Sequence, residues 1–241
     1  MAINYWQKTP NTKITAGISI PMASLDGFYD ERYFTAPNVL PKTDARKAAW
    51  EEIVRYLGLN ARVPPLGTVV DFGAGHCEFI NSLNAPRRFA IDASPVGLRD
   101  AAPGVKAIVG DYKSLRKIPP SSVDYFFSSN LFEHMGKDDI YECVKEARRI
   151  LAPGGEITAI CPNFAECPRQ YFDEFTHLTP LTDKSMADLF GHFGLEVLRS
   201  DGKFLPFTAR GMFFNRLLFR IYLNLPYRPL ARQFLITARK N

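Results

Sequence analysis

The sequence lacks several features that would place it in other classes of protein. It has no uncharged apolar run of about 18 residues, so no membrane-spanning helix is expected. Its first residues lack the basic and apolar regions of a secretory signal. No three histidine, cysteine or carboxylate residues have metal-site spacing, so we expect no metal. No CxxC pair occurs among the four cysteines, which are Cys77, Cys143, Cys161 and Cys167. This predicts reduced thiols and a cytoplasmic protein.

The composition is that of a folded protein. Hydrophobic residues make up 46% of the 241 residues, which excludes general disorder and suits one large core. The formal net charge of +5 is modest, and basic residues outside one segment are balanced by acids, so no nucleic acid partner is expected. We predict a single domain made of an N-terminal arm or lid (1–42), a core (43–202), a basic-aromatic insertion (203–232) and a last strand (233–241).

A glycine turn follows the apolar pair Val69-Val70. The pair indicates a strand buried on both faces. Gly73 and Gly75 indicate a turn where the backbone approaches a ligand, because a Cβ would block the dihedral or the contact. Seventeen residues after Gly75, Asp92 ends a second apolar run, where a doubly wound fold places a carboxylate for ribose hydroxyls.

The details of the turn distinguish between ligands. A pyrophosphate loop has a third glycine three residues after the second, and here that position is Glu78, a poor neighbour for phosphate. Asp71, just before the turn, would repel phosphate and attract a cationic amino group. S-adenosylmethionine has an amino group, a sulfonium and a ribose but no phosphate, so the turn favours that cofactor over a dinucleotide.

Four motifs in register resemble those of class I S-adenosylmethionine-dependent methyltransferases. They are Asp71-Phe72-Gly73-Ala74-Gly75, Asp92, Gly110-Asp111 and Arg149-Ile150-Leu151-Ala152-Pro153-Gly154-Gly155. The resemblance covers roughly residues 45 to 200, and Cys77 stands where many members have a third glycine. It implies a doubly wound α/β fold of seven mostly parallel strands with helices on both faces. The last strand is expected to insert antiparallel between strands five and six.

The resemblance implies a cofactor site at the carboxyl ends of the strands. Asp111 would accept a hydrogen bond from the adenine amino group, with Tyr112 stacking or offering its amide. Alternatively, Asp111 is a simple turn acid, and Asp92 only caps the next helix. The predicted cofactor-binding set is Asp71, Gly73, Ala74, Gly75, Asp92, Ala93, Asp111, Tyr112 and Asn130.

Histidines are the candidates for catalysis. His134, just beyond strand four, is the first candidate for a base that takes a proton from a hydroxyl acceptor. His177, in a long connection expected to be functional or a lid, is the second. Alternatively, Glu133 and His134 cap the next helix and orient the loop, and His177 only bonds backbone. His76 is expected in the cofactor wall and His192 in a structural role.

The segment 203–232 has six basic residues, seven aromatic residues and no acid. Residues 212–222 fit an amphipathic helix with Arg216 and Arg220 one turn apart, which suits peripheral contact with an anionic inner membrane face or a lipid-linked substrate. Alternatively, the helix only caps the domain with its arginines solvated.

Other elements are predicted as helices at 78–83, 95–104 and 137–151, and as strands at 156–161, 195–198 and 234–238.

Two stretches resemble bacterial methyltransferases associated with surface-glycan biosynthesis. One is the aromatic-Asp-x-x-x-His-x-x-Pro stretch that ends at Pro180, and the other is the Gln-aliphatic-Ala-Arg-Lys ending of the chain. This resemblance implies O-methylation of a sugar hydroxyl on a glycan or lipid-linked glycan. The alternatives are a small aromatic or lipid-like acceptor, and a non-catalytic module that binds a partner through 203–232.

Overall fold

The computed structural model describes residues 44–207 and 215–241. The predicted N-terminal arm, 1–42, lies outside these residues, as does the part of the predicted insertion at 208–214. In the described part of the chain, no helix is both long enough and apolar enough to cross a membrane.

Seven strands of the described chain form one sheet. They are β1 (Thr68–Phe72), β2 (Arg87–Asp92), β3 (Val105–Val109), β4 (Val123–Ser129), β5 (Leu151–Pro162), β6 (Leu195–Pro206) and β7 (Ala231–Lys240). Their order is β3-β2-β1-β4-β5-β7-β6. Strands β1 to β5 pair in parallel, and β7 is antiparallel to both β5 and β6. The predicted α/β fold, with its antiparallel last strand between the fifth and sixth, is confirmed.

Helices cover both faces of this sheet. They are α1 (Asp44–Tyr56), α2 (Glu78–Asn81), α3 (Pro95–Leu98), α4 (Lys137–Ile150), α5 (Asp183–His192) and α6 (Arg216–Leu223). Successive strand residues point to opposite faces, so Val69 joins the core under α1 and α6 while Val70 joins the core under α4 and α5. All five residues of β1 are buried, as a central strand of a doubly covered sheet requires.

Several element boundaries differ from the sequence predictions. The helix predicted at 78–83 ends at Asn81, and the one predicted at 95–104 ends at Leu98. The strand predicted at 156–161 begins at Leu151, directly after α4. The strands predicted at 195–198 and 234–238 extend to Pro206 and over Ala231–Lys240, because they pair with each other along their length. Strand β6 is a sheet edge, where polar residues are tolerated, so its sequence does not read as a strand.

The predicted insertion is therefore shorter than 203–232. Residues 203–206 belong to β6 and residues 231–232 to β7, so 207–230 connects the two strands. Pro206 pairs with Ala231, so this connection leaves and re-enters the sheet at one place. Because β6 runs parallel to β1–β5, that place is at the carboxyl edge of the sheet, the edge that also carries the glycine turn.

Helix α6 packs against α1 through a buried carboxylate. Glu52 is 1% exposed, and its two oxygens accept hydrogen bonds from Arg216 Nε at 2.6 Å and from Arg220 Nε at 2.7 Å. Arg216 also pairs with Glu51 at 2.9 Å. The hydrogen bond from Arg220 lowers the pKa of Glu52 to about 2, assisted by Arg216. The arginines expected to face a membrane or to be merely solvated thus hold α6 on α1.

Candidate active site

The glycine turn follows β1 as predicted. Gly73 has φ 79° and Gly75 has φ 47°, in the left-handed region that favours glycine. A Cβ on Gly73 would lie 2.8 Å from Leu131 Cδ2, so the turn is also in close contact with the segment after β4. Cys77, at the position where many relatives were expected to have glycine, is fully buried and adopts φ 60°. The backbone keeps the glycine-like conformation there although the residue has a side chain.

Gly97 is a residue of this site that the sequence did not point to. A Cβ on Gly97 would lie 2.1 Å from the carbonyl oxygen of Gly75, so α3 rests directly on the glycine turn. Ser94 caps α3 by accepting a hydrogen bond from the Val96 amide, and Pro95 is its first residue. The sequence signal that could have found Gly97 is a glycine inside a short capped helix that immediately follows the predicted ribose acid.

Asp92 is held by backbone amides on both sides. Its Oδ2 accepts a hydrogen bond from Gly75 N and its Oδ1 accepts one from Ser94 N, each at 2.8 Å. The same carboxylate thus joins the glycine turn to the residue that precedes α3, and the N-terminal cap of α3 is Ser94 rather than Asp92. Burial raises its pKa, against these hydrogen bonds and a neighbouring His76.

Asp71 lies deeper than Asp92 and is 3% exposed. Its Oδ2 has no hydrogen-bond partner among the described residues, which is unusual for a buried carboxylate. Burial, followed by the charge of Asp92, raises the pKa of Asp71 well above its usual range. A buried acceptor oxygen and a second carboxylate fit a ligand with a cationic amino group and do not fit a phosphate.

A cavity opens beside these acids at the carboxyl ends of β1, β2 and β3. Five predicted cofactor residues line it together with Phe72 and Gly110 of the sequence motifs and with Leu131 and Met135 from the turn after β4. The lining comprises Phe72, Gly73, Asp92, Ala93, Gly110, Asp111, Tyr112, Leu131 and Met135. Asp111 also accepts a hydrogen bond from the Lys113 amide at 2.9 Å, so the turn role considered for it is present too. Asn130 follows β4 with φ 51° and does not line this cavity.

A second group of side chains lies at the turn after β4, where Glu133 and His134 meet His177 from the connection after β5. His134 and His177 have ring centroids 4.8 Å apart, and Nε2 of His134 is 3.9 Å from Oε1 of Glu133. One ligand-type atom from each of the three residues lies within 4.8 Å of those of the others. The spacing of residues in the sequence does not show this group, because His177 is distant from Glu133 and His134 along the chain and reaches them only through folding.

Hydrogen bonds from the long connection after β5 build this group. Leu178 N and Thr179 N both donate to the carbonyl oxygen of Glu133, at 2.8 and 3.1 Å. The Thr179 hydroxyl donates to the carbonyl oxygen of Met135 at 2.6 Å. Tyr171 supports the connection from behind, where its hydroxyl donates to the carbonyl oxygen of Thr179. The connection is therefore docked on the turn after β4 by backbone groups.

Burial dominates the electrostatics of this group. It raises the pKa of Glu133 to about 8 and lowers the pKa of His134 to about 4, and it also lowers the pKa of His177. Both imidazoles are consequently neutral at neutral pH, each with a lone pair. His177 Nδ1 donates a hydrogen bond to the carbonyl oxygen of Tyr171 at 2.5 Å. The bonding to backbone that was considered as an alternative role for His177 is therefore present.

The other two histidines lie apart from this group. His76 Nδ1 is 2.7 Å from Asp100 Oδ2, next to the glycine turn. His192 Nε2 is 3.1 Å from the Tyr141 hydroxyl near the end of α5.

Comparison with known protein families identifies the activity. Residues 70–159, from β1 through most of β5, match the family model described as a methyltransferase domain. The chain is an S-adenosylmethionine-dependent methyltransferase. The matched segment contains the glycine turn, Asp92, Asp111, Glu133 and His134, whereas His177 lies beyond it. A comparison with curated protein sequences finds no match.

Solved structures share the fold of the methyltransferase. A methyltransferase from Archaeoglobus fulgidus is 15% identical with a TM-score of 0.63, over 88% of this chain and all of that one. The N-methyltransferase NodS from Bradyrhizobium japonicum in complex with S-adenosyl-L-homocysteine is 12% identical with a TM-score of 0.59, over 90% and 97%. A chain from the complex of the Haloferax volcanii Trm112 activator with a methyltransferase is 20% identical with a TM-score of 0.60, over 80% and 90%.

Proposed function

We propose that the methyltransferase O-methylates a sugar hydroxyl of a glycan or lipid-linked glycan, and that the acceptor proton is removed at the pair His134 and His177. A hydroxyl must lose a proton during methylation, whereas an unprotonated amine need not. The observation that carries the proposal is the pair of imidazoles, 4.8 Å apart. His134 belongs to the turn whose ends Leu131 and Met135 line the cavity beside Asp92, and His177 reaches it from the connection after β5. Glu133 lies against His134 and completes the predicted catalytic set.

The cofactor would be held by the acids around the glycine turn. Asp71 would accept hydrogen bonds from its amino group, Asp92 from its ribose hydroxyls and Asp111 from its adenine. Gly73, Ala74, Gly75, Ala93, Tyr112 and Asn130 complete the set that we assign to it. Bound S-adenosylmethionine supplies an electrophilic methyl group on a sulfonium. The contribution of these residues is orientation, which is worth about 7–11 kcal/mol at best when two reactants are aligned.

Two features near the histidines support a carbohydrate acceptor. Phe172 and Phe175, in the connection that contains His177, are 52% and 82% exposed. Flat exposed aromatic rings suit the apolar faces of sugars. Phe207, at the start of the 207–230 connection, has its ring centroid 6.4 Å from that of His177. The basic and aromatic 207–230 connection thus begins beside the proposed acceptor site. An element that recognises the acceptor is expected in that position.

We propose in addition that 207–230 contacts the inner membrane face, where lipid-linked glycans are made. The support is the outer face of α6, where Leu217, Leu218 and Ile221 are 60%, 61% and 50% exposed. Because Arg216 and Arg220 bind Glu52, the contact would depend on these apolar side chains first and on charge second. Co-sedimentation with vesicles tests it.

Methyl transfer to a panel of acceptors tests the main proposal. Sugar nucleotides, short glycans and lipid-linked sugars are compared with small phenols, and products are detected by mass spectrometry. We expect a methylated sugar. We expect His134→Ala to lower kcat by about 10²–10⁴-fold, the usual contribution of a general base, with little change in cofactor affinity.

His192→Ala is the matched control, because that histidine contacts Tyr141 outside the cluster and should leave kcat unchanged. Asp92→Ala should abolish cofactor binding in a calorimetric titration. Full turnover in both His134→Ala and His177→Ala would exclude the histidine pair, and methylation of phenols alone would exclude the sugar acceptor.

A further inference from the structure

Three side chains in the turn after β4 and the connection after β5 form a donor set for a metal ion. Glu133 and His134 come from the turn, and His177 comes from the connection that backbone hydrogen bonds dock against it. Their ligand-type atoms lie within 4.8 Å of one another. Tetrahedral coordination at bond lengths of about 2.0–2.1 Å needs separations of about 3.4 Å, so a cation would draw these atoms closer together than they lie here.

The hydrogen bonds of both imidazoles are those of metal-ligating histidines. His134 Nδ1 is 3.2 Å from the carbonyl oxygen of Thr176, and His177 Nδ1 is 2.5 Å from that of Tyr171. A carbonyl can only accept, so each Nδ1 carries the proton and each Nε2 carries the lone pair. Histidines that bind metals usually donate their second ring N–H to a carbonyl or carboxylate in this way, which fixes the tautomer and the ring orientation.

Glu133 supplies the second, independent observation. Its side chain is 1% exposed, and neither carboxyl oxygen has a well-formed hydrogen bond among the described residues; the contacts that lower its pKa are with its own backbone and with the weakly donating Cys161 thiol. Its backbone carbonyl, in contrast, accepts two hydrogen bonds from the docked connection. A buried polar group without partners is costly, and native proteins rarely keep one without a reason. Oε1 is 3.9 Å from His134 Nε2, so the carboxyl group and the imidazole lone pair face one another.

We propose that Glu133, His134 and His177 bind one divalent transition-metal cation, with Zn²⁺ as its representative. Two imidazoles and one carboxylate are a donor set for Zn²⁺, Fe²⁺ or Co²⁺, whereas Mg²⁺ and Ca²⁺ prefer oxygen ligands. Three protein ligands leave a coordination position open. Glu174, whose Oε2 is 3.7 Å from His177 Nε2, adds a second negative charge beside the site.

The consequence for catalysis rests on the proposed function. With the cation bound, both imidazoles are ligands, and the acceptor hydroxyl binds at the open position. A bound cation would lower the pKa of that hydroxyl, and the proton would pass to water. The oxygen lone pair then forms the O–C bond as the C–S bond of the cofactor breaks, which leaves the methylated acceptor and S-adenosylhomocysteine. The metal site would thus promote loss of the hydroxyl proton by polarising the acceptor hydroxyl, whereas a histidine without metal would remove that proton as a base.

Metal binding is measured on the full chain without any methyl transfer. The protein is stripped with a chelator, dialysed and titrated with Co²⁺, whose visible spectrum reports coordination by protein ligands, and with Zn²⁺ followed by elemental analysis. We expect one equivalent per chain. Two variants remove one ligand each: His177→Ala, and Glu133→Gln, which keeps the shape of the side chain. Each should weaken metal binding by at least about tenfold, because the loss of a residue that only supports a metal ligand already has an effect of that size.

His192→Ala is the control, since it removes a histidine outside the cluster and should bind one equivalent. Circular dichroism establishes that each variant is folded. Uptake of less than half an equivalent by the folded wild-type chain, or equal affinity in wild type and Glu133→Gln, would overturn the metal site.

The outcome is separable from that of the proposed function. One equivalent of cation in a chain that methylates no sugar would retain the metal site and remove the sugar acceptor. Sugar methylation at full rate in chelator, with no cation bound, would overturn the metal site and leave the histidine pair as the base. Loss of sugar methylation in chelator, restored by Zn²⁺ in wild type but not in Glu133→Gln, would support the metal site and the sugar acceptor and would replace the histidine base by the cation.

Discussion

At the scale of single residues, Gly97 sets how closely α3 approaches the glycine turn. A methyl group on Gly97 would lie 2.1 Å from the carbonyl oxygen of Gly75, and backbone cannot rotate away as a side chain can. We predict that Gly97→Ala displaces the turn, lowers the free energy of unfolding by about 1–3 kcal/mol, the usual cost of overpacking, and weakens cofactor binding. Denaturant unfolding and calorimetric titration with S-adenosylmethionine measure the two effects.

The chain offers a matched control in Gly191. It lies in α5, and a Cβ there would meet nothing within 4 Å. Gly191→Ala should therefore be neutral or stabilise the protein by up to about 1 kcal/mol, the helix preference of alanine over glycine. Equal effects of the two substitutions would mean that the approach of α3 to the turn does not hold the cofactor loop in place.

At the scale of elements, Glu52 is the contact that fixes α6 on α1. Its pKa is about 2 in the folded protein and near 4.5 in the unfolded chain, mainly because Arg220 donates to it. A depressed folded pKa means that this contribution is fully present above pH 4.5 and is lost as the pH falls toward 2. We predict that Glu52→Gln lowers the unfolding free energy at pH 7 by about 1.5–3 kcal/mol, the value of hydrogen bonds to a charged group.

The same substitution should flatten the fall of stability between pH 4.5 and pH 2, measured by denaturant unfolding at each pH. Glu142→Gln is the comparison, because Glu142 pairs with Lys145 across one turn of α4 at the surface. Exposed pairs contribute about 1 kcal/mol or less, so this variant should keep nearly the wild-type stability at every pH. If the two glutamates behave alike, Glu52 is not what holds α6.

At the scale of the whole molecule, the sequence predicts the features whose residues are close together along the chain. The strand, the glycine turn and Asp92 lie within one short stretch, and the period-two and glycine signals describe them directly. Strand β6 was predicted too short because pairing with β7, not its own pattern, makes it a strand. The grouping of Glu133 with His177, and the engagement of Arg216 and Arg220 by Glu52, depend on contacts between distant segments that no local pattern encodes.

The return of 207–230 to the carboxyl edge of the sheet gives the molecule one functional side. The glycine turn, the histidine cluster and the two ends of this connection all lie at that edge. We predict that the full chain co-sediments with vesicles containing anionic phospholipid, and that replacing both Leu218 and Ile221 with serine weakens partitioning by at least about tenfold. Each side chain contributes about 1.5–3 kcal/mol when fully buried.

Val63 provides the control for the serine substitutions in α6. It is 95% exposed, more than Leu218 or Ile221, but lies far along the chain between α1 and β1. If exposed apolar area alone drove sedimentation, Val63→Ser would weaken it as each α6 substitution does, whereas a surface made by α6 leaves it unchanged. Because Arg216 and Arg220 are bound to Glu52, raising the salt concentration should reduce binding less than the serine substitutions do. Absence of sedimentation at low salt would overturn the proposed membrane contact.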